Sequence, residues 1–446
     1  MTVRENFVTM TRGAVWCVLS WAAYGCASDA TVRLTVRSED LDGRPATGAI
    51  AVFQDRSGAT VADTMVDAAG RAEAELPGGG SVTVIRIDET TPAVRNIAIT
   101  TIRGVASGDQ LTIGATASPL HFIGGNSTMT AHFTPSFPGG SYTLATACGG
   151  VSQSTGSAIE LPFNDSCRST TFDLLSVATL NTDPPQVRYV YQTGLAYAAG
   201  GSVTVPGSWN IAGRFQATLT PAPDDLSTIS LSHMTLLGRS PTAVFSGGVA
   251  QPAPGLVAVA TPYLPGVGDG AIIVAGLHKL GGAGGQVLEV RTGLITASWT
   301  FDLRRIVPWV GTATATPTGA SWEQTGDGAV DARLVTWRGS WSDGARTNHL
   351  AWTIEDGERT ASLTLPALPE AYAAYDPARI SGLTVEEPVV TYLDYDILDG
   401  YDEARPFGPN LTVALTDLGV LVDRALQRRM TIHALRAAAT DGVTAR

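Results

Sequence analysis

Apolar and polar residues alternate with period two along most of the chain. In TVRLTVR, Val32, Leu34 and Val36 share one side while Arg33, Thr35 and Arg37 share the other, the pattern of a strand with one buried face. RFQATLT repeats it with Phe215, Ala217 and Leu219, and TMTAHFT with Met129, Ala131 and Phe133. Glycine and proline interrupt these runs at short intervals, 49 and 25 of them in 446 residues, and short strands separated by frequent turns predict sandwiches or barrels. The expected fold class is therefore all-β, with several antiparallel β-sandwich domains in tandem. One stretch breaks the pattern: in LTDLGVLVDRALQRR, Leu418, Leu421, Val422, Ala425 and Leu426 follow helical spacing, against which Gly419 counts.

Three turn-rich stretches divide the alternation, TIGATASP near residue 115, TVPGSWN near 206 and GTATATPTGAS at 311–321. They suggest β domains at 26–113, 114–206, 207–312 and 313–446, the last two able to form a single unit. Within the last segment, VTWRGSW, HLAWTIEDGE and ASLTLPALP read as a meander. Val335, Trp337 and Trp341, then Leu350, Trp352 and Ile354, then Ala361, Leu363 and Leu365 each share a side, with turns at Asp343-Gly344 and Asp356-Gly357.

Residues 1–25 do not fit a β fold. Arg12 precedes a small and apolar run from Gly13 to Gly25, too short to span a bilayer and suited to an export signal. Ala23-Tyr24-Gly25-Cys26 resembles a bacterial lipobox, which implies acylation of Cys26 and a membrane attached through the N-terminal lipid; an ordinary secretory signal is the alternative. The expected location is the cell envelope, as an outer-membrane lipoprotein, or else the medium. After removal of the signal the chain carries 27 basic and 40 acidic residues, a net of −13, which argues against general affinity for nucleic acid. Cys148 and Cys167 are the cysteines left outside this segment besides Cys26. An even pair in an exported chain suggests a disulfide, worth about 3 kcal/mol for a loop of this size.

Residues 42–88 carry a family resemblance. Gly43, Pro45, Gly48, Ala49 and Val52, then Thr64, Asp67 and Gly70 in a T-x-x-D-x-x-G hairpin, then Ala72, Ala74, Leu76 and Pro77, resemble the carboxypeptidase regulatory-like or transthyretin-like sandwich family over residues 30–113. The resemblance implies a noncatalytic accessory domain. Independently, Asp67 to Gly70 is a tight turn needing glycine for a positive φ. Asp302, Leu303, Pro308 and Trp309 with the Trp352 strand resemble repeats of uncharacterised myxobacterial surface lipoproteins, which imply no activity.

Candidate chemistry is sparse. His121, His132, His233, His278, His349 and His433 are scattered without metal-binding spacing, and His132 and His349 fall on polar strand faces. There is no G-x-S-x-G motif, and the one lysine, Lys279, does not follow a glycine loop. GVGDGAIIVAG at 266–276 reads as a turn entering a strand. Asp394, Asp396, Asp399 and Asp402 crowd near Gly400 and are the candidate ligands for a structural calcium, but their spacing misses the EF-hand pattern and a solvated acidic loop is the better reading. Trp309, Trp322, Trp337, Trp341 and Trp352 with Tyr372 and Tyr375 could stack on sugar rings; alternation favours packing in the core. The reading is a noncatalytic envelope or cell-surface lipoprotein, a binding or structural module without a cofactor, its partner a glycan or protein at the envelope. The alternative is a secreted carbohydrate-active enzyme or glycan-binding protein, since paired carboxylates leave little trace in a sequence.

Overall fold

The computed structural model describes residues 31–37, 44–114, 126–133, 140–153, 157–164, 169–180, 182, 186–237, 240–280, 284–293, 297–410 and 426–433. The fold is all-β, several sandwiches built from separate sheets. The alternating runs bury the expected sides: Val32, Leu34 and Val36 are at most 1% exposed, Phe215, Ala217 and Leu219 fully buried, and Met129, Ala131 and Phe133 buried in the second sandwich. The signal segment, Cys26, Cys167 and His121 lie outside the described residues. So do Leu418, Leu421, Val422 and Ala425 of the helix-spaced stretch; its end, Leu426–His433, is a strand, because the register between two neighbouring strands outweighs the local spacing.

One sheet of 13 strands organises the molecule. From one edge it runs Ser240–Ala250, Leu226–Leu237, Gly270–Lys279, Gly284–Thr292, Leu426–His433, Val389–Tyr395, Ala332–Ser342 and Thr347–Asp356, then Val94–Val105, Gly80–Thr91, Ile50–Asp55 and Thr60–Met65, with the short Thr384–Val385 paired to Ala332–Ser342 off this path. Most neighbours are antiparallel hairpin partners. The join between the last and first parts of the chain is parallel, pairing His349 with Asn96, Trp352 with Ile99 and Glu355 with Ile102.

That join explains a burial pattern which alternation alone does not. Ile50–Asp55 has four consecutive buried residues, and Val82 to Ile85 are likewise buried in succession. Ala51, Phe53, Val82, Val84 and Ile102 face the three-stranded sheet formed by Arg71–Glu75, Thr31–Val36 and Gln110–Ile113. Val52, Ile85, Ile97 and Ile99 face the other way, into a core shared with Trp322, Val335, Trp337, Leu350, Trp352 and Ile354. At roughly 1.5–3 kcal/mol per large apolar side chain taken out of water, these four positions couple the first sandwich to the last. Hydrogen bonds follow the same seam: Thr83 and Thr101 share a bond of 2.9 Å between their hydroxyls, and the Trp352 indole N–H donates to Thr101 Oγ1 at 3.0 Å.

Two local readings need correction. The stretch 311–321, turn-rich in composition, lies in a hairpin of Trp309–Thr316 with Gly319–Thr325, whose small residues face a sheet and leave room for Trp322 and Trp337. The meander is also incomplete: Ala332–Ser342 and Thr347–Asp356 pair, but Ser362–Thr364 leaves their sheet and joins the facing one beside Gly319–Thr325. The 66–70 turn has the expected form, with Gly70 at φ 72° and its amide bonded to Asp67 O at 2.9 Å. Its flanking strands belong to opposite sheets rather than to one hairpin. A side chain at Gly70 would meet the Val36 carbonyl oxygen at 2.3 Å.

The third sandwich holds a buried histidine. His233 is 1% exposed, packed against Phe215 at 4.9 Å and Tyr263 at 6.1 Å, with neither ring nitrogen hydrogen-bonded. Burial depresses its pKa from 6.5 to about 4. The neutral ring is the native form, so the unfolded chain takes up a proton first as the pH falls. The histidine therefore costs stability progressively from about pH 6.5 down to 4, up to about 3 kcal/mol. His233→Phe keeps the ring contacts and removes the titration. Denaturant unfolding of both proteins should show the variant's advantage growing across that window; a constant difference would contradict the assignment.

Candidate binding cleft

The seam between the first and last sandwiches opens as a cleft of about 690 Å³ with a mixed polar and apolar lining. One wall is the hairpin between Ile50–Asp55 and Thr60–Met65, which contributes Arg56, Ser57 and Gly58; the other comes from Glu358, Pro366 and Ala367. Gly80, Ser81 and Arg103 lie between them. Gln54, 3% exposed, ties the walls together by donating to Gly58 O at 3.1 Å and Ala367 O at 3.0 Å.

Beneath the cleft lies a buried ion pair. Arg333 is fully buried on a strand whose next inward positions are Val335 and Trp337, and register places it opposite Asp356. Its Nε donates to Asp356 Oδ1 at 2.8 Å and its Nη2 to Oδ2 at 2.6 Å, a two-pronged contact. Nη1 donates to the Thr360 and Ser362 carbonyl oxygens at 2.5 and 3.2 Å and to Thr360 Oγ1 at 3.0 Å. The guanidinium also lies 5.4 Å from the Trp322 ring centre. Burial raises the pKa of Asp356, while Arg333 and the Glu358 amide pull it back down. Arg103 donates to Thr364 O and stands 3.9 Å from Asp356, and Glu358 stands 3.4 Å from Arg333.

Glu355, next along the chain, faces the opposite side. It is fully buried with both carboxyl oxygens unpartnered, and burial, then the neighbouring Asp356, pushes its pKa well above the ordinary 4.5. Tyr401 covers this region, its hydroxyl donating to Arg103 O at 2.9 Å and Glu355 O at 3.2 Å. Burial likewise lifts the Tyr401 hydroxyl well above 10. Arg405, next after the Tyr401–Ala404 turn, ties this segment to the first sandwich through Asp109 at 2.7 Å.

The acidic stretch does not converge. Asp394 is buried on Val389–Tyr395, Asp396 stands 3.7 Å from Arg305, and Asp402 pairs with Arg405 at 2.6 Å. At Asp399 the backbone N–H donates to Glu403 at 2.9 Å. Among the described residues no three His, Cys, Asp or Glu side chains are placed to share an ion. Asp331, a residue the sequence reading passed over, organises this loop by accepting from the amides of Tyr395 at 2.6 Å and Gly400 at 3.1 Å.

The aromatic set is core. Trp309, Trp322, Trp337 and Trp352 are all buried, Trp341 is half-buried, and Tyr372 and Tyr375 pack their rings against the shared core. His132 and His349 are exposed, as their strand faces predict. Gly266 and Gly268, with positive φ, form the turn into Gly270–Lys279. Cys148 is partly buried against the second core. Alternation did not single out Arg333, Asp356, Gln54 or Arg103. The usable signals were charges at inward-facing positions, Arg333 two before Val335 and Asp356 two after Ile354.

No family model and no curated protein matches the chain. Among solved structures, the TIE protein of Bacillus anthracis aligns at 11% identity over 57% of this chain and 46% of its own, with a TM-score of 0.16. A putative adhesin from Bacteroides ovatus aligns at 10% identity over 62% and 90%, TM-score 0.16. The Ca2+-stabilized adhesin of an Antarctic bacterium aligns at 10% identity over 83% and 95%, TM-score 0.12. Scores at this level carry no argument about arrangement or function, and the chain spans less than half of the TIE protein.

The ion pair yields a test of the cleft's foundation. Arg333→Met should cost about 3–5 kcal/mol in denaturant unfolding because Asp356 is left buried without its cation. The double change Arg333→Met/Asp356→Leu should recover part of that loss. A single variant as stable as the parent would show that the pair does not support the seam.

Proposed function

We propose that this protein is an exported, lipid-anchored binding or structural module of the bacterial cell envelope, without catalytic machinery of its own. The observation that carries the reading is the state of the charges at the cleft. Arg333, Asp356, Glu358 and Arg103 are committed to one another and to backbone carbonyls, which builds a fixed polar surface rather than a reactive group. Asp55, a carboxylate on the cleft wall, has its pKa lowered, chiefly by the Ser57 hydroxyl. A glycosidase acid requires the opposite shift, so the enzyme reading gains no support from this pair of walls.

The first sandwich, four strands against three with the Gly70 turn between the sheets, supports the proposed kinship with carboxypeptidase regulatory-like domains. Lipidation at Cys26 follows from the sequence alone. Cys26→Ser should move the protein from the detergent-soluble membrane fraction to the periplasm or medium. Unchanged partitioning would defeat the anchor, and saturable turnover of an ester, peptide or glycoside by purified residues 27–446 would defeat the noncatalytic reading.

The proposed bridge between Cys148 and Cys167 fits an oxidising compartment. Peptide mass spectrometry of envelope-purified, non-reduced protein should recover the two cysteines in one linked pair. Two alkylated thiols at these positions would rule it out.

A further inference from the structure

The cleft at the seam differs from an ordinary crevice between domains in having one charged side chain to which, among the described residues, no hydrogen bond is made. Asp55 accepts from the Ser57 amide at 2.8 Å, the Ser57 hydroxyl at 2.6 Å and the Ala59 amide at 3.1 Å. Glu358 faces Arg333 and accepts from Thr360 Oγ1 at 3.1 Å. Arg103 is held by Thr364 O and the nearby Asp356. Arg56 is exposed and, among the described residues, has no hydrogen-bonding or ionic partner. Its backbone is nevertheless fixed: the turn that carries it is closed by Gly58 N to Asp55 O and Asp55 N to Ala59 O, both at 2.9 Å, with Gly58 at φ 83°. A guanidinium on a closed turn loses little backbone freedom on binding.

We infer that this cleft binds an acidic saccharide, with Arg56 receiving a uronate carboxylate and the Ser81 hydroxyl and exposed backbone receiving ring hydroxyls. This deepens the surface-module reading and rests on it. Three observations select the class. A guanidinium matches a planar carboxylate through two parallel hydrogen bonds. The carboxylates of Asp55 and Glu358 on the same walls disfavour a doubly charged phosphate while leaving a singly charged group acceptable. The lining offers glycine backbone at Gly104, which a register shift leaves outside the strand ladder, beside Gly58 and Gly80, with apolar side chains confined to Val105, Pro366 and Ala367. A peptide partner would need an apolar anchoring pocket, whereas a hydroxyl-rich chain needs hydrogen-bonding edges. The volume of about 690 Å³ lies within the range of small-ligand sites.

The test is titration calorimetry on purified residues 27–446 with oligogalacturonate and oligoalginate, beside maltooligosaccharide, inorganic phosphate and a hexaglutamate peptide. The uronate oligomers should bind saturably and maltooligosaccharide should not. Arg56→Glu should weaken the uronates by at least about tenfold with the thermal midpoint unchanged, since the side chain has no structural partner. Arg56→Lys should bind with intermediate strength, as expected when a point charge replaces a fork. Equal binding by parent and Arg56→Glu would overturn the site. Absence of uronate binding at millimolar concentration, or preference for hexaglutamate or phosphate, would overturn the ligand class. Surface localisation is read separately by fractionation, so failure here would leave the envelope reading standing.

Discussion

The structure depends on the parallel pairing of Thr347–Asp356 with Val94–Val105. This pairing turns the four-stranded sheet of the first sandwich from an outer layer into a middle one. On one side it keeps its own small core; on the other, Val52, Ile85, Ile97 and Ile99 fill space beside Trp337 and Trp352. Without the join, a row of β-branched side chains would face water. With it, neither sandwich has an independent boundary. The cleft exists because two walls from distant parts of the chain are fixed to the same sheet.

The charge cluster under the cleft fixes the register of the two strands on the last-sandwich side of that join. Packing of branched aliphatic residues tolerates sliding, since one isoleucine resembles the next. A guanidinium clamped by one carboxylate and three carbonyl or hydroxyl oxygens does not. A shift of the Ala332–Ser342 strand by one residue would carry Arg333 to the other face and leave Asp356 buried alone. The pair adds little net stability relative to apolar replacements and instead fixes the register.

Much of this fold was legible in the sequence because period two is a local property. Val32 to Val36, Met129 to Phe133 and Phe215 to Leu219 turn inward as their patterns require. The aromatic residues from Trp309 to Trp352 likewise entered the core, as strand alternation favoured over an exposed sugar platform. The join was not legible. AVF at 51–53 is an unbroken apolar run and VTVI at 82–85 is broken only by Thr83, and such runs mark strands buried on both faces, but they do not identify the second covering layer. The small-residue hairpin at 311–321 read as a boundary because its small side chains leave volume for Trp322 of the same hairpin and Trp337 of the facing sheet. Arg56 was invisible for a different reason: an arginine in a turn is ordinary, and only the commitment of its neighbours sets it apart.

Trp352 and Thr101 share a hydrogen bond although 251 residues separate them. During synthesis the first sandwich therefore emerges long before the strand that pairs with its edge and the hairpin that covers its second face. Until then Ile97 and Ile99 border an open sheet edge, an arrangement that invites pairing with other chains. Closure of so long a loop also makes the final assembly slow compared with formation of the individual hairpins. Folding deferred until the whole chain is available avoids that exposed intermediate. The topology thus ties the yield of folded protein to how well the early sandwich is protected until the last third of the chain has been made.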